Sequence, residues 1–196
     1  MRNFKLTIAA LAITSATGAW ADGWVLNGDQ SVVGFGSIKS DDTGEAHTFS
    51  GLTGTVSKEG VAEVEIDLST VETNIDIRNE RMIEYVFQNA PTATLKAQVD
   101  MADFEGLAVG ESTVTEIDGD LVLLGLETPV YMDVFVMRLD EENVMVTTNS
   151  MMFVSTEELG VNDGIDKLME LASLSGITRA APVTFRLMFN SATAES

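Results

Sequence analysis

An all-β fold, an antiparallel barrel of about eight strands with one or two short capping helices, is predicted by three observations in the sequence. Short stretches alternate apolar and polar residues with a period of two. Clusters of Gly, Asp, Asn and Ser separate these stretches at regular intervals. Only two stretches change to a period near 3.6. A two-sheet sandwich meets the first two conditions as well, but a barrel with helical caps accommodates every segment.

The elements follow in order. Residues 31–39 and 47–56 read as the first two strands, joined by the polar turn Asp-Asp-Thr-Gly-Glu at 41–45. Residues 57–60, Ser-Lys-Glu-Gly, turn into a third strand in which Ala62, Val64, Ile66 and Leu68 face one way and Glu63, Glu65 and Asp67 the other. That strand runs into a helix ending near residue 87. Thr73, Asn74 and Asp76 offer side-chain caps, Thr73 and Asp76 have capping-box spacing, and Met82, Ile83, Val86 and Phe87 form the apolar stripe. Residues 93–101 alternate cleanly, with Ala93, Leu95, Ala97 and Val99 on one face. Strands are expected at 111–117 and 120–124, with Asp118-Gly119 as the hairpin between them.

Residues 129–138 and 143–155 carry apolar residues on both faces. This suits a wall strand between the barrel interior and a covering element, and equally an ordinary central strand. In 143–155 the two sets are Met145, Met151 and Phe153 against Val144, Val146 and Met152. A second helix is expected at 164–173, with Ile165, Leu168, Met169 and Ala172 inward, and a last strand at 183–189. A barrel of this size is either filled by its own side chains or holds one slender ligand, and the pattern alone does not separate the two.

At the N-terminus, Arg2 and Lys5 precede an apolar run to Gly18, and Ala19-Trp20-Ala21 has the small-x-small form of a signal-peptidase site. The run is well short of the roughly 20 apolar residues that span a bilayer. A cleaved signal peptide of residues 1–21 and an exported single domain of residues 22–196 are therefore expected. The chain has 11 basic and 31 acidic residues, and residues 1–21 hold two of the basic and none of the acidic ones, so the exported part carries 9 − 31 = −22. Such acidity reads first as solubility and second as specific cation binding, and it makes nucleic acid, and anionic lipid surfaces unless a ligand or cation intervenes, poor partners. The absence of cysteine excludes disulfides, thiolate metal sites, thiol catalysis and lipid modification at the cleavage site.

Catalytic patterns are sparse. His47 is the one histidine, no nucleophile elbow or phosphate loop accompanies it, and the many carboxylate pairs follow from composition. No metal-site spacing, EF-hand loop or cofactor motif is present. Arg78 and Arg81, beside Glu80 and Glu84, read first as charge-paired helix surface. The functional alternative places Arg78 at the barrel mouth, facing a phosphate or quinone. The ten methionines read first as core filler and second as an adaptable lining for a flexible lipid.

The segment IDLSTVETNIDIRNERM, residues 66–82, resembles the signature of the YceI-like family of lipocalin-like bacterial proteins. Trp24, the Ser31-x-Val33-x-Phe35 pattern, His47 ahead of Phe49 and Gly54, and Gly125-x-x-Thr128-Pro129 fall in the family's order. The resemblance implies a lipocalin-like barrel in the periplasm that binds a long isoprenoid lipid, of quinone or polyprenyl type, without catalysis. With strand parity it gives as lining candidates Val33, Phe35, Phe49, Val64, Ile66, Met82 and Phe87 in the first half of the chain. In the second half the candidates are Leu95, Ala97, Met132, Val134, Phe153, Phe185 and Leu187, and His47 and Arg78 are the head-group candidates. Burying a forty-carbon tail at about 0.8 kcal/mol per carbon gives a gross ~30 kcal/mol, above the roughly 18 to 21 kcal/mol ceiling of non-covalent binding. A strong head-group site is thus not required. Two other readings stay open: a lipid- or small-molecule-modifying enzyme using His47, and a structural or stress protein with a self-filled barrel. A homodimer is likewise left open.

Overall fold

The computed structural model describes residues 23–104 and 106–192, so the expected signal peptide and its cleavage point lie outside the described residues. Among these, eleven strands form one antiparallel sheet that closes on itself. They are β1 (Trp24–Leu26), β2 (Val32–Lys39), β3 (Thr43–Phe49), β4 (Leu52–Val56), β5 (Val61–Asp67) and β6 (Thr92–Gln98). Then come β7 (Ser112–Leu123), β8 (Leu126–Arg138), β9 (Asn143–Thr148), β10 (Met152–Ser155) and β11 (Ala180–Ser191).

The eleven strands occupy eight positions around the ring, because three staves are each made of two successive strands. One edge of β11 takes β9 and β10, and its other edge takes β2 and β1. β2 in turn pairs with β3, and β1 with β4. From β4 onward the order is sequential through β5, β6, β7, β8 and β9 back to β11. The expected strand at 47–56 is thus two strands, broken at Ser50-Gly51, and the expected strand at 143–155 is broken at residues 149–151. Each break lets one stave bend, which a small barrel needs in order to close.

The expected hairpin at Asp118-Gly119 is not a turn. β7 runs straight through it, with Gly119 in register with Val130 on β8 and Ala97 on β6. The turn lies at Leu124-Gly125, where both residues have positive φ, +53° and +80°, as a two-residue hairpin that follows the strand twist demands. An Asp-Gly pair is a turn signal only where the ladder ends, and here twelve residues of ladder override it.

Two helices close one end. α1 (Asp76–Arg81) continues into a π-helical turn, Met82–Val86, and α2 (Asn162–Ala172) packs against that turn. The expected capping box is replaced by another device. Ile75 holds the N-cap position without a side-chain bond, while the Thr73 amide and hydroxyl both donate to Asn79 Oδ1, at 2.9 and 2.5 Å. Gly164 of α2 lies so close to the π-turn that a Cβ there would overlap the Tyr85 carbonyl oxygen. No helix among the described residues is long and apolar enough to cross a membrane.

The buried side chains divide into two clusters stacked along the barrel. The lower one includes Trp24, Leu52, Val64, Phe104, Val134 and Leu187, and the upper one, beneath the helices, includes Phe49, Leu68, Met82, Val86, Phe87 and Ile165.

Candidate functional site

The upper cluster surrounds a cavity of about 510 Å³. Strand parity builds its wall, since alternate residues of each stave point inward. β2 contributes Val33, Phe35, Ser37 and Lys39, and β3 contributes Glu45, His47 and Phe49. Rings line one side in a ladder: His47 to Phe35 at 5.1 Å between centroids, Phe35 stacked on Phe49 at 5.1 Å, and Phe49 to Phe87 at 5.8 Å. The helices form the roof, with Met82, Val86, Ile165 and Leu168 facing down. The opening lies between α1 and residues 172–178, where Ile75 and Ile77 line the cavity while 45% and 50% exposed.

Most of the candidates read from the sequence come together here. Val33, Phe35, Phe49, Ile66, Met82, Phe87, Leu95, Met132 and Phe185 line this cavity, as do His47 and Arg78. Val64, Ala97, Val134 and Leu187 instead line a second, smaller cavity further down the barrel. Phe153 is a correction: it is 66% exposed on the outer wall, and its neighbours Met152 and Val154 face inward. The alternation in that stretch is legible, but with apolar residues on both faces nothing in it says which face is inside.

Sequence reasoning misses the polar partners of Arg78. Its guanidinium reaches across from α1 to β3, where Nη1 donates to Glu45 Oε2 at 2.7 Å, and Nη2 donates to the Thr73 carbonyl at 2.5 Å. Lys39 Nζ donates to the other Glu45 oxygen at 2.9 Å. Arg78 is therefore no simple helix-surface charge, because its ion pair ties the roof to the wall. Parity is the signal that could have found Glu45, since it stands two residues before His47 on the same face.

The Arg78 bond holds the Glu45 carboxyl down at about 2 against an ordinary 4.5, with burial opposing and Lys39 assisting. A carboxyl with a depressed folded-state value stabilises the fold above its unfolded value and loses that contribution as pH falls toward the folded one. Glu45→Gln is expected to lower the thermal midpoint at neutral pH, and the gap from the parent protein should close between pH 4.5 and about 2. Melting both proteins across that range checks it; a gap that stays constant would show that the carboxylate's charge is not what matters.

His47 is 5% exposed. Burial first, then the positive charge of Arg78, lowers its pKa, with Glu45 opposing, so the ring is uncharged at neutral pH. Its Nε2 lies 3.4 Å from Ser37 Oγ, while its Nδ1 is buried without a hydrogen-bond partner among the described residues, as is Arg78 Nε. A catalytic imidazole is normally oriented through its second nitrogen by an acid, and no such contact is made among the described residues. Nor is any group of three or more described His, Cys, Asp or Glu side chains placed to hold a metal ion. The arrangement suits binding: an apolar chamber, open at the edge of its helical roof, with a small polar cluster on its wall near that edge.

Comparisons with known proteins agree with this geometry. The model of the YceI-like domain matches residues 24–189. A polyisoprenoid binding domain from Saccharophagus degradans, implicated in plant cell wall breakdown, is 35% identical with a TM-score of 0.83, and the match covers 86% of this chain and 98% of that one. BcnA from Burkholderia cenocepacia is 16% identical with a TM-score of 0.62, covering 83% of this chain and 98% of that one, a likeness of fold alone. None of the curated proteins matches the chain.

Proposed function

This chain belongs to the YceI-like domain family, and on that premise we propose that it is a periplasmic carrier that takes the tail of an isoprenoid quinone into its barrel and shields it from water. The observation that carries this reading is the apolar cavity of about 510 Å³ opening beside α1. The similarity to a polyisoprenoid binding domain supports it, and the N-terminal export pattern supports the compartment.

The scale is suitable. A cavity of roughly 150 Å³ holds one benzene, so about 510 Å³ takes on the order of twenty carbons. At about 0.8 kcal/mol per carbon, such a tail gains ~16 kcal/mol gross, from which ordering and lost translation subtract. The tail can supply the affinity while the head group sets orientation. Glu45 and Thr73 already engage the Arg78 fork, so an anionic phosphate would have to compete with Glu45, whereas an uncharged quinone head displaces no ion pair. An uncharged head group is the better fit. No covalent step belongs to this reading.

Native mass spectrometry of the purified protein tests it. The expected result is a retained isoprenoid mass, or uptake of an isoprenoid quinone offered in detergent in preference to a polyprenyl phosphate. No added mass and no uptake would overturn the carrier, and preference for the phosphate would overturn the head-group assignment alone.

A further inference from the structure

Below the main cavity the barrel holds a second one of about 100 Å³, lined wholly by apolar surface and floored by Trp24 and Phe104. The two share three wall residues, Leu95 on β6, Met132 on β8 and Phe185 on β11. One inward step above them stand Ala93, Val130 and Val183, which line only the upper cavity. One inward step below stand Ala97, Val134 and Leu187, which line only the lower one. Two residues along a strand advance about 6.8 Å, so the shared residues form a single rung, a waist between two chambers on one axis.

The waist is built to yield at one point. Gly119 of β7 stands in register with Ala97, and the Met132 terminal methyl lies 3.2 Å from where a Gly119 Cβ would be. Leu95 and Phe185 are stiffer, whereas an unbranched thioether side chain can swing aside with little strain. Taking the carrier reading as given, we propose that the lower chamber is the terminal subsite for the isoprenoid tail, with Met132 as the side chain that admits the tail's end. By the benzene scale about 100 Å³ takes on the order of four carbons, close to one isoprene unit. The subsite therefore discriminates tails by length, separating those that end within the upper chamber from those that reach past the waist.

Ala97→Leu is the test, because it adds three carbons, roughly 75 Å³ on the same scale, and so fills most of the lower chamber without exceeding it. Affinities are measured for a series of isoprenoid quinones differing only in tail length. Tails short enough to end above the waist should bind the variant within about twofold of the parent, and longer tails about tenfold or more weakly. Equal weakening at all lengths, or none at any, overturns the subsite. Should Ala97→Leu not fold, Met132→Ala decides the matter, since it opens the waist and should favour long tails over short ones; a change blind to length counts against the proposal. A parent protein that binds no quinone of any length would overturn the carrier reading and the subsite together, whereas a length-blind variant of a binding-competent parent overturns the subsite alone.

Discussion

Val64→Asp is expected to destabilise the protein by at least about 3 kcal/mol, because it puts a carboxylate among apolar walls where nothing is placed to pair with it. Val64 is 5% exposed, lines the lower chamber, and is flanked in register by Leu95 and Gly54. Its neighbour Glu63 is exposed and faces solvent opposite Lys96. Glu63→Asp moves a charge by one methylene on that outer face and should cost less than about 1 kcal/mol. In a domain of this size each kcal/mol moves the thermal midpoint by roughly 2 to 4 °C, so the two variants should differ by several degrees. Equal midpoints would mean that β5 presents its other face to the core.

The second large effect is expected at Gly164, where the helices meet. Alanine is the better helix former by about 1 kcal/mol, so on propensity alone Gly164→Ala would stabilise. The contact reverses the sign. A Cβ at this position would overlap the Tyr85 carbonyl oxygen and come within 2.6 Å of Val86 Cα, both backbone atoms that cannot rotate away. α2 and the π-turn must then move apart, at a net cost of about 1 to 3 kcal/mol. Met82, Val86, Ile165 and Leu168 roof the cavity from these same elements, so on the proposed carrier function the variant should also retain less lipid. Gly44→Ala is the control, because a Cβ there meets nothing within 4 Å. Melting curves and native mass spectra of both variants check this. An unchanged midpoint and lipid content for Gly164→Ala would show that the roof does not depend on the close approach.

The barrel is legible in the sequence because period-two alternation on β5 and β6 leaves one side of each strand nothing to do but face a core. Ala62, Val64, Ile66, Leu95 and Ala97 all point inward as that pattern requires. Parity runs out where both faces are apolar, which is why it assigns Phe153 to the wrong side. It also runs out at Asp118-Gly119, where local turn chemistry conflicts with a ladder that only the tertiary fold supplies. The division of the interior at Leu95, Met132 and Phe185 leaves no trace in the alternation, because all three obey the same parity as their neighbours above and below. The Arg78–Glu45 pair joins residues 33 positions apart, and a helix and a strand can be matched in this way only once the barrel has set their separation.

The position of β11 has a consequence for how the chain reaches this structure. β11, the last strand among the described residues, is the seam that joins β1, β2, β9 and β10, and Trp24 of β1 is in register with Ser191 of β11, 167 positions on. A growing chain that has not yet delivered residues 180–191 has no seam to pair against, so β1 and β2, paired on one side with β4 and β3, must wait with the other edge open until those residues arrive. Pairing across such a separation carries a large loop-closure entropy before any contact repays it, which makes folding slow and the waiting strand edges prone to mispairing. The excess of 31 acidic over 11 basic residues then acts earliest in the protein's life: mutual repulsion keeps unfinished chains apart during the interval in which the barrel cannot yet close.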